Sequence, residues 1–230
     1  MKELSRITET FTESVIREMT RICDAVGGYN LSQGFPDFES PSEIKEAAIT
    51  AIKDGWNQYP VTFGEPELRE AIGKKALRYN GIKCDPETDI TVTCGATEAM
   101  IATLKAIINP GDEIIVFEPY YENYGPDSIL SGATPRYVTL YQPDWSYSSE
   151  ELAQAFNDRT KAIVINTPNN PTGKVFSRKE LEEIAALCIK WDTYAVTDEI
   201  YEHILYDGMQ HISLATIPGM ENRTITINSI

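Results

Sequence analysis

From residue 90 onward, stretches typical of buried strands alternate with stretches typical of amphipathic helices, and this alternation restricts the fold more than any other feature. The predicted strands are short and rich in Ile and Val: Ile90–Cys94, Glu113–Phe117, Arg136–Leu140, Ala162–Asn166, Tyr194–Asp198 and Thr224–Asn228. They are separated by helical patterns at Thr97–Ile108, near Tyr121–Leu130, at Ser149–Phe156 and at Ser177–Trp191. This order predicts an α/β fold, a three-layer α/β/α domain with a mainly parallel sheet covered by helices on both faces.

The residues before this alternation are predicted to be mainly helical. Helical spacing predicts one helix over Phe11–Ala25 and another from about Pro66 to Asn80. Between them, Ser40-Pro41-Ser42-Glu43 has the spacing of a capping box with Pro at the first helical position, which predicts the start of a further helix. We therefore expect an N-terminal helical arm before the α/β domain.

Composition and charge exclude several classes of function. A formal net charge of −15 argues against a nucleic-acid surface, which needs clustered Lys and Arg. No apolar run is long enough to span a bilayer, so no membrane association is expected. The four cysteines, Cys23, Cys84, Cys94 and Cys188, lack the spacing of a zinc site or a disulfide framework. We therefore predict reduced thiols in a cytoplasmic protein without a metal site.

A candidate anion site lies where the first predicted strand passes directly into a helix. Gly95, Ala96 and Thr97 are small residues at this junction. Free backbone N–H groups at a helix start attract anions such as phosphate, and the Thr97 hydroxyl would add a donor. The same residues also suit an ordinary strand-to-helix turn with Thr97 as a cap. The P-loop and the Gly-x-Gly-x-x-Gly phosphate motifs do not occur in this chain.

Polar residues follow two later strands. Asn170 comes after the strand Ala162–Asn166, and Asp198 ends the next strand, with Tyr201 three residues later. Ligands of parallel sheets gather beyond the carboxyl ends of the strands. A carboxylate beside a pyridine-type ring keeps the ring nitrogen protonated, and the ring can then withdraw electrons from a substrate carbanion. A Pro/Gly turn around Asn170 and a capping role for Asp198 are the simpler alternatives.

Aromatic residues after the second predicted strand add a possible stacking surface. Tyr121 could stack on a flat ring, although Tyr120, Tyr121 and Tyr124 could equally fill the core or the surface. The candidates gain weight from their order along the chain, because each stands at or just after the end of a predicted strand.

Taken together, these segments resemble the class I and II aminotransferases, which belong to the fold type I superfamily of pyridoxal-phosphate enzymes. The segments that carry the resemblance cover nearly the whole chain in the family's order: Gln33-Gly34-Phe35-Pro36-Asp37, Gln58-Tyr59 with Gly64 and Glu67-Leu68-Arg69-Glu70-Ala71, Gly95-Ala96-Thr97-Glu98-Ala99, Asn170-Pro171-Thr172-Gly173, Asp198-Glu199-Ile200-Tyr201 and Asn228-Ser229-Ile230. The resemblance implies two parts. Residues 1–40 would form an N-terminal arm or small-domain segment, and residues 41–230 would form the pyridoxal-phosphate-binding large domain, incomplete at its C-terminus.

The resemblance implies pyridoxal 5'-phosphate as the cofactor and assigns roles residue by residue. The implied cofactor-binding residues are Gly95, Ala96, Thr97, Tyr121, Asn170, Asp198, Tyr201 and Ser229. The helix-start residues and Ser229 would bind the phosphate, while Tyr121 would stack on the ring. Asp198 would pair with the ring nitrogen, and Asn170 and Tyr201 would hydrogen-bond the phenolic oxygen. Asp198 and Tyr201 are therefore the implied catalytic residues of this chain.

The resemblance also implies partners. Gly34 and Asn170 match positions that meet the substrate, and the substrates would be an amino acid and a 2-oxo acid. Tyr59 matches a tyrosine that reaches the phosphate bound by the neighbouring subunit, so a homodimer is implied.

The sequence departs from the family pattern at its end. In the family, the motif matched by Asn228-Ser229 continues to the lysine that holds the cofactor as a Schiff base, and this chain ends at Ile230 before that position. Lys174 and Lys179 follow another strand and do not replace it. We expect the 230-residue chain alone to be inactive. Because the family's sheet includes a strand after that lysine, we also expect open sheet edges and aggregation or a swollen state on purification.

The expected activity of the parent enzyme is transfer of an amino group between an L-amino acid and a 2-oxo acid. Two alternatives stay open. Another fold type I enzyme, such as a C–S β-lyase or a cyclopropane-forming synthase, would bind the cofactor with the same residues. A non-catalytic, truncated relative would at most bind the cofactor weakly.

Overall fold

The computed structural model describes residues 2–11, 14–34 and 36–229. Within it the chain forms two compact units, Met1–Thr62 and Phe63–Ile230. This structural division comes later in the chain than the predicted functional boundary between residues 40 and 41, which stays a prediction.

The described residues of the first unit form two α-helices. Helix α1 spans Val15–Val26, where the hydroxyl of Ser14 caps its first turn by accepting the Arg17 N–H. The helix predicted over Phe11–Ala25 therefore begins later, and Thr12 and Glu13 lie outside the described residues. Phe35 and Ile230, which belong to two of the family-like segments, lie outside them as well.

Helix α2 spans Ser42–Lys53, and the capping box predicted at Ser40 is wrong. Pro41 occupies the N-cap position with extended backbone angles, and no side chain caps the helix. The Glu43 carboxylate that a capping box would use instead accepts the Ser42 hydroxyl at 3.2 Å.

The second unit contains the remaining helices and all strands of the described chain. Its helices are α3 (Pro66–Lys75), α4 (Gly95–Ile107), α5 (Tyr124–Leu130), α6 (Ser149–Ala155) and α7 (Arg178–Trp191). Its strands are β1 (Glu113–Glu118), β2 (Thr134–Thr139), β3 (Thr160–Asn166), β4 (Tyr194–Asp198) and β5 (Thr224–Ile227). A π-helical turn, Ala76–Asn80, extends α3 as far as Gly81, which takes the left-handed conformation expected of a helix stop.

The strands form one parallel sheet in the order β2-β1-β3-β4-β5. Successive residues of each strand point to opposite faces. In β1, Ile115 and Phe117 pack with α6 and α7 on one face, while Ile114 and Val116 pack with α4 and α5 on the other. The predicted three-layer α/β/α architecture with a parallel sheet is therefore confirmed.

The strand predicted at Ile90–Cys94 is wrong. A strand needs a neighbour for its backbone groups, and in the described chain this segment joins neither edge strand, β2 nor β5. Val92 instead donates its N–H to the Phe63 carbonyl at 3.0 Å. The segment still leads directly into α4, as predicted. Its strand-like residues do not pair with a neighbouring strand.

The predicted capping box at α7 is confirmed and supports a stability prediction. The Ser177 hydroxyl accepts the Glu180 N–H at 3.3 Å, and the Glu180 carboxylate accepts the Ser177 N–H at 2.7 Å. Replacing Ser177 with Ala should lower the free energy of unfolding by about 1 kcal/mol in denaturant titrations. Ser177→Asn, which keeps an acceptor, should retain most of the stability; equal losses in both variants would contradict this role.

Among the described helices, none combines the length and apolar composition needed to cross a bilayer.

Candidate active site

The carboxyl ends of β3 and β4 bring two polar side chains together. Asn166 and Asp198 are register partners at the ends of these neighbouring strands. Asn166 donates its amide to the Asp198 carbonyl at 3.0 Å and accepts the Asn170 N–H at 2.7 Å. Asn166 thereby ties the two loops that carry the predicted residues Asn170 and Asp198. Asn166 was not among the residues predicted from the sequence, although its place at the end of a predicted strand was a usable signal.

A cavity of about 180 Å³ opens beyond these strand ends. Its lining combines aromatic, polar and aliphatic residues: Ala96, Thr97, Met100, Tyr121, Asn123, Tyr124, Asn166, Asn170, Asp198, Ile200 and Tyr201. The structure thus brings most of the residues selected from the sequence to one concave site.

Asp198 is the buried charged group of this cavity, with 7% of its surface exposed. Its Oδ2 accepts the Tyr124 hydroxyl at 2.6 Å, and its Oδ1 accepts the Ile200 N–H at 3.2 Å. Burial raises the pKa of the Asp198 carboxyl above its ordinary value, and these two hydrogen bonds lower it only in part. The neighbouring charge of Glu199 adds to the rise. A cation in the cavity would favour the carboxylate form.

The start of α4 forms another wall. Gly95 has a positive φ of 86°, a backbone conformation that L side chains rarely adopt, and α4 begins at this residue. The Glu98 carboxylate accepts the Cys94 N–H, while no side chain of the N-cap residue caps the helix. Ala96 and Thr97 then line the cavity within the first turn, where N–H groups have no partner inside the helix. The first turn of α4 is therefore suited to an anion.

The remaining predicted residues near the cavity supply a flat ring and hydrogen-bonding groups. Tyr121 lines the cavity, and its ring meets that of Tyr124 edge-on, with ring centroids 5.9 Å apart at 67°. Asn123 donates to the Thr97 hydroxyl at 3.2 Å and is a further lining residue that the sequence analysis missed. Tyr201 lines the cavity from the loop after β4.

Two predicted residues of the second compact unit do not line this cavity, and two others belong to the first unit. Gly95 adjoins the lining without belonging to it, and Ser229 is exposed, with its N–H bonded to Asn228 Oδ1 at 2.8 Å. Gly34 and Tyr59 belong to the first compact unit, where both are exposed. Their proposed roles stay predictions.

Next to Asp198 lies a buried polar cluster formed by Glu199, Glu202 and His211, whose ligand-type atoms are within 4.8 Å of one another. Hydrogen bonds already engage these groups. Glu199 accepts from Ser213 at 2.8 Å and is bonded to His211 Nε2 at 2.8 Å. The cluster anchors the segment that carries both Asp198 and Tyr201.

A second set of contacts ties this cluster to the end of α3. Asn80 donates to both carboxylates, at 3.3 Å to Glu199 and 2.6 Å to Glu202, and Lys75 forms a short ion pair with Glu202. Burial raises the pKa of Glu202, but the hydrogen bonds from Lys75, Asn80 and Asn228 outweigh burial, so its pKa is lowered.

Lys174 is buried. Its ammonium pairs with Glu180 at 2.6 Å and lies 4.9 Å from the ring centre of Phe176. That Lys174 does not replace the family lysine stays a prediction.

Comparison with known proteins assigns the family. The model of the family "Aminotransferase class I and II" matches residues 27–230. The chain belongs to the class I and II aminotransferases. Enzymes of this family depend on pyridoxal phosphate, as the sequence resemblance implied.

Individual aminotransferases support the same assignment. A probable N-succinyldiaminopimelate aminotransferase of Mycobacterium tuberculosis is 40% identical over 222 residues, covering 95% of this chain and 56% of the relative. The human kynurenine–oxoglutarate transaminase 3 is 41% identical over 233 residues, covering 96% of this chain and 51% of the relative.

A solved structure of an aminotransferase has the same fold. The N-succinyldiaminopimelate aminotransferase structure from M. tuberculosis superposes with a TM-score of 0.93 at 40% identity, covering 99% of this chain and 60% of that one. The chain spans about half the length of the curated relatives it matches.

Proposed function

We propose that this chain is the cofactor-binding part of a pyridoxal-phosphate-dependent aminotransferase that moves an amino group between an L-amino acid and a 2-oxo acid. The observation that carries the proposal is the buried Asp198 carboxylate, which faces the same cavity as Thr97, Tyr121, Asn170 and Tyr201. Family membership supports the reaction class, and the cavity supports the residue roles.

The cavity offers a partner for each chemically distinct part of pyridoxal phosphate. The first turn of α4, with Ala96 and Thr97, suits the phosphate. The Tyr121 ring offers a face on which a pyridine can stack. The Asp198 carboxylate suits a protonated ring nitrogen, and the Asn170 amide and Tyr201 hydroxyl suit the phenolic oxygen. The described residues therefore fit this cofactor.

When bound, pyridoxal phosphate supplies a protonated ring that withdraws electrons from the reacting substrate carbon. Asp198 would hold the proton on the ring nitrogen. Its burial strengthens this ion pair, because few water molecules compete for the carboxylate. Tyr121 would cover one ring face, and Asn170 with Tyr201 would hold the phenolic oxygen by hydrogen bonds. From the family motif, the lysine that moves the substrate proton is expected just beyond Ile230.

Further parts of the proposal come from family positions. Ser229 would add to phosphate binding, Gly34 with Asn170 would meet the substrate, and Tyr59 would reach the phosphate of a neighbouring subunit in a homodimer. A cytoplasmic location and a role in amino-acid metabolism complete the proposal. The four cysteines are free thiols, which fits a reducing compartment.

An absorbance titration of the chain with pyridoxal phosphate tests cofactor binding. We expect a saturable spectral change, and no stable adduct on this chain after borohydride treatment. A polypeptide that also contains the family lysine should form product from an amino acid only when a 2-oxo acid is supplied. Release of ammonia without that acceptor would instead indicate a lyase, and the absence of any saturable change would reject the cofactor site.

Tyr201 allows a matched test of the phenolic-oxygen contact. Tyr201→Phe removes one hydroxyl at the cavity, and we expect about tenfold weaker binding of pyridoxal phosphate, since one hydrogen bond to a charged group is lost. Tyr206→Phe is the control, because Tyr206 lies on the same loop and is 73% exposed. Equal affinities of the two variants would contradict the role of Tyr201.

A further inference from the structure

Tyr124 lines the cavity, whereas the sequence left open whether it belongs to the core or to the surface. Its side chain is buried, with 3% of the residue exposed, and it lines the same cavity as Asp198 and Tyr121. A buried tyrosine hydroxyl needs a hydrogen-bond partner. Here that partner is the carboxylate of Asp198, at 2.6 Å, a length typical of a strong hydrogen bond to a charged acceptor.

The backbone around Tyr124 holds the hydroxyl in this place. Tyr124 is the first residue of α5, and its N–H bonds the Tyr121 carbonyl at 3.1 Å. One turn later, the Ser128 hydroxyl bonds the Tyr124 carbonyl at 2.6 Å. Since α5 packs on the sheet face that carries Val116 and Val164, the phenol reaches the end of β4 from a rigid element.

Tyr124 also contacts the ring proposed to stack on the cofactor. The rings of Tyr121 and Tyr124 meet edge-on at 5.9 Å. One side chain therefore contacts both the group proposed to face the ring nitrogen and the group proposed to cover the ring. The other oxygen of Asp198 is taken by the Ile200 N–H, so both oxygens have donors from the protein.

We propose that Tyr124 is a positioning residue that fixes the Asp198 carboxylate at the cavity in its ionised form and holds Tyr121 in place beside it. This inference rests on the proposed function of the same site. Tyr124 does not touch the cofactor ring in this account; it acts through Asp198 and Tyr121.

The electrostatic surroundings agree with this role. The titratable groups around the pair are Glu199, next to Asp198 in the chain, and the phenols of Tyr121 and Tyr201. Burial raises the pKa of Asp198, and the Tyr124 hydroxyl is the first of the contacts that lower it. Burial and the nearby Asp198 carboxylate also raise the pKa of Tyr124, so its hydroxyl stays protonated and remains a donor.

Tyr124→Phe removes only the donor. We expect the pKa of Asp198 to rise further. A pH titration of the Asp198 carboxyl-carbon chemical shift in ¹³C NMR measures this pKa. The signal is assigned by its disappearance in Asp198→Asn. Tyr137→Phe is the control: its hydroxyl, 3.3 Å from that of Tyr120, is outside the cavity lining, and the Asp198 signal should not move. Because this titration needs no cofactor, an unchanged pKa in Tyr124→Phe overturns the proposal whether or not the cofactor binds.

Cofactor titration gives the second readout. With Tyr124→Phe we expect about tenfold weaker binding of pyridoxal phosphate, and this loss should become smaller as the pH rises through the further raised pKa of Asp198 in the variant. An equal loss at every pH would mean a merely structural role and would overturn the proposal. If the parent chain does not bind the cofactor, the proposed function fails separately, while the NMR result still decides the role of Tyr124.

A variant that keeps the shape of the side chain separates the effect of the hydrogen bond from an effect of misfolding. Replacing Tyr124 with 3-fluorotyrosine makes the phenol a stronger donor, so the pKa of Asp198 should shift downward, opposite to the shift in Tyr124→Phe. Shifts in the same direction in both variants would contradict a hydrogen-bonding role.

Discussion

Asp198→Asn should weaken the binding of pyridoxal phosphate about a hundredfold or more. The substitution removes a buried negative charge opposite a ring nitrogen that must carry a proton, and an unpaired buried charge costs about 3 to 5 kcal/mol. Asp207→Asn is a suitable control, because Asp207 lies on an exposed loop shortly after Asp198. Absorbance titrations of both variants near neutral pH measure the difference. A loss of less than about threefold in Asp198→Asn would contradict the assigned role.

The same substitution should not destabilise the chain without cofactor. Because burial raises the folded-state pKa of Asp198, the folded chain holds this proton more tightly than the unfolded chain. The associated stability is present below the ordinary pKa of 3.8 and is lost as the pH rises through the raised folded-state pKa. Above that folded-state pKa the parent chain therefore bears a cost that Asn avoids. Thermal melts of the cofactor-free proteins should show Asp198→Asn unfolding no earlier than the parent, in contrast to its loss of cofactor binding.

Lys75→Met should lower the free energy of unfolding by about 2 to 3 kcal/mol near neutral pH. Glu202 has 1% of its side chain exposed, and Lys75 forms an ion pair with it. Removing one partner of a buried pair leaves an uncompensated charge. We expect a value near the lower end for such pairs, because the Lys75 side chain is 32% exposed. Denaturant titrations measure the change.

The neighbouring lysine provides the control for this prediction. Lys74 pairs with Glu70 at 3.3 Å on the surface, with 79% of its side chain exposed, so Lys74→Met should change stability by less than about 0.5 kcal/mol. The effect of Lys75→Met should also depend on pH. Since the folded-state pKa of Glu202 is lowered, its stabilising contribution is present above the ordinary value of 4.5 and is lost as the pH falls through the lower folded-state value. Equal losses in both variants, or a loss independent of pH, would contradict the buried pair.

Much of the fold was predictable because strand and helix periodicities are local properties of a sequence. The strand Tyr194–Asp198 has the predicted bounds, and the capping box at Ser177 has the predicted partners. Strand pairing is not local, so Ile90–Cys94 has strand-like residues without a strand partner in the described chain. Pro41 was predicted at the first helical position of α2, and the structure places it one residue before the helix, at the N-cap.

The candidate site shows the same limit of local patterns. Tyr121, Asn170, Asp198 and Tyr201 stand at or just after strand ends, and parallel strands bring such ends together, whereas Thr97 reaches the cavity from the first turn of α4. The contacts between these residues also depend on other side chains, and the positions of those side chains in the sequence do not indicate their contacts. Asn166 joins two loops, and Tyr124 reaches Asp198 from a helix far away in the chain.

The most direct test of this account is a crystal structure of the chain soaked or co-crystallised with pyridoxal phosphate. We predict the ring nitrogen within hydrogen-bonding distance of the Asp198 carboxylate, the phosphate at the first turn of α4 beside Thr97, and the ring against Tyr121. Cofactor bound with its ring nitrogen away from Asp198, or with its phosphate at another part of the sheet, would contradict the account.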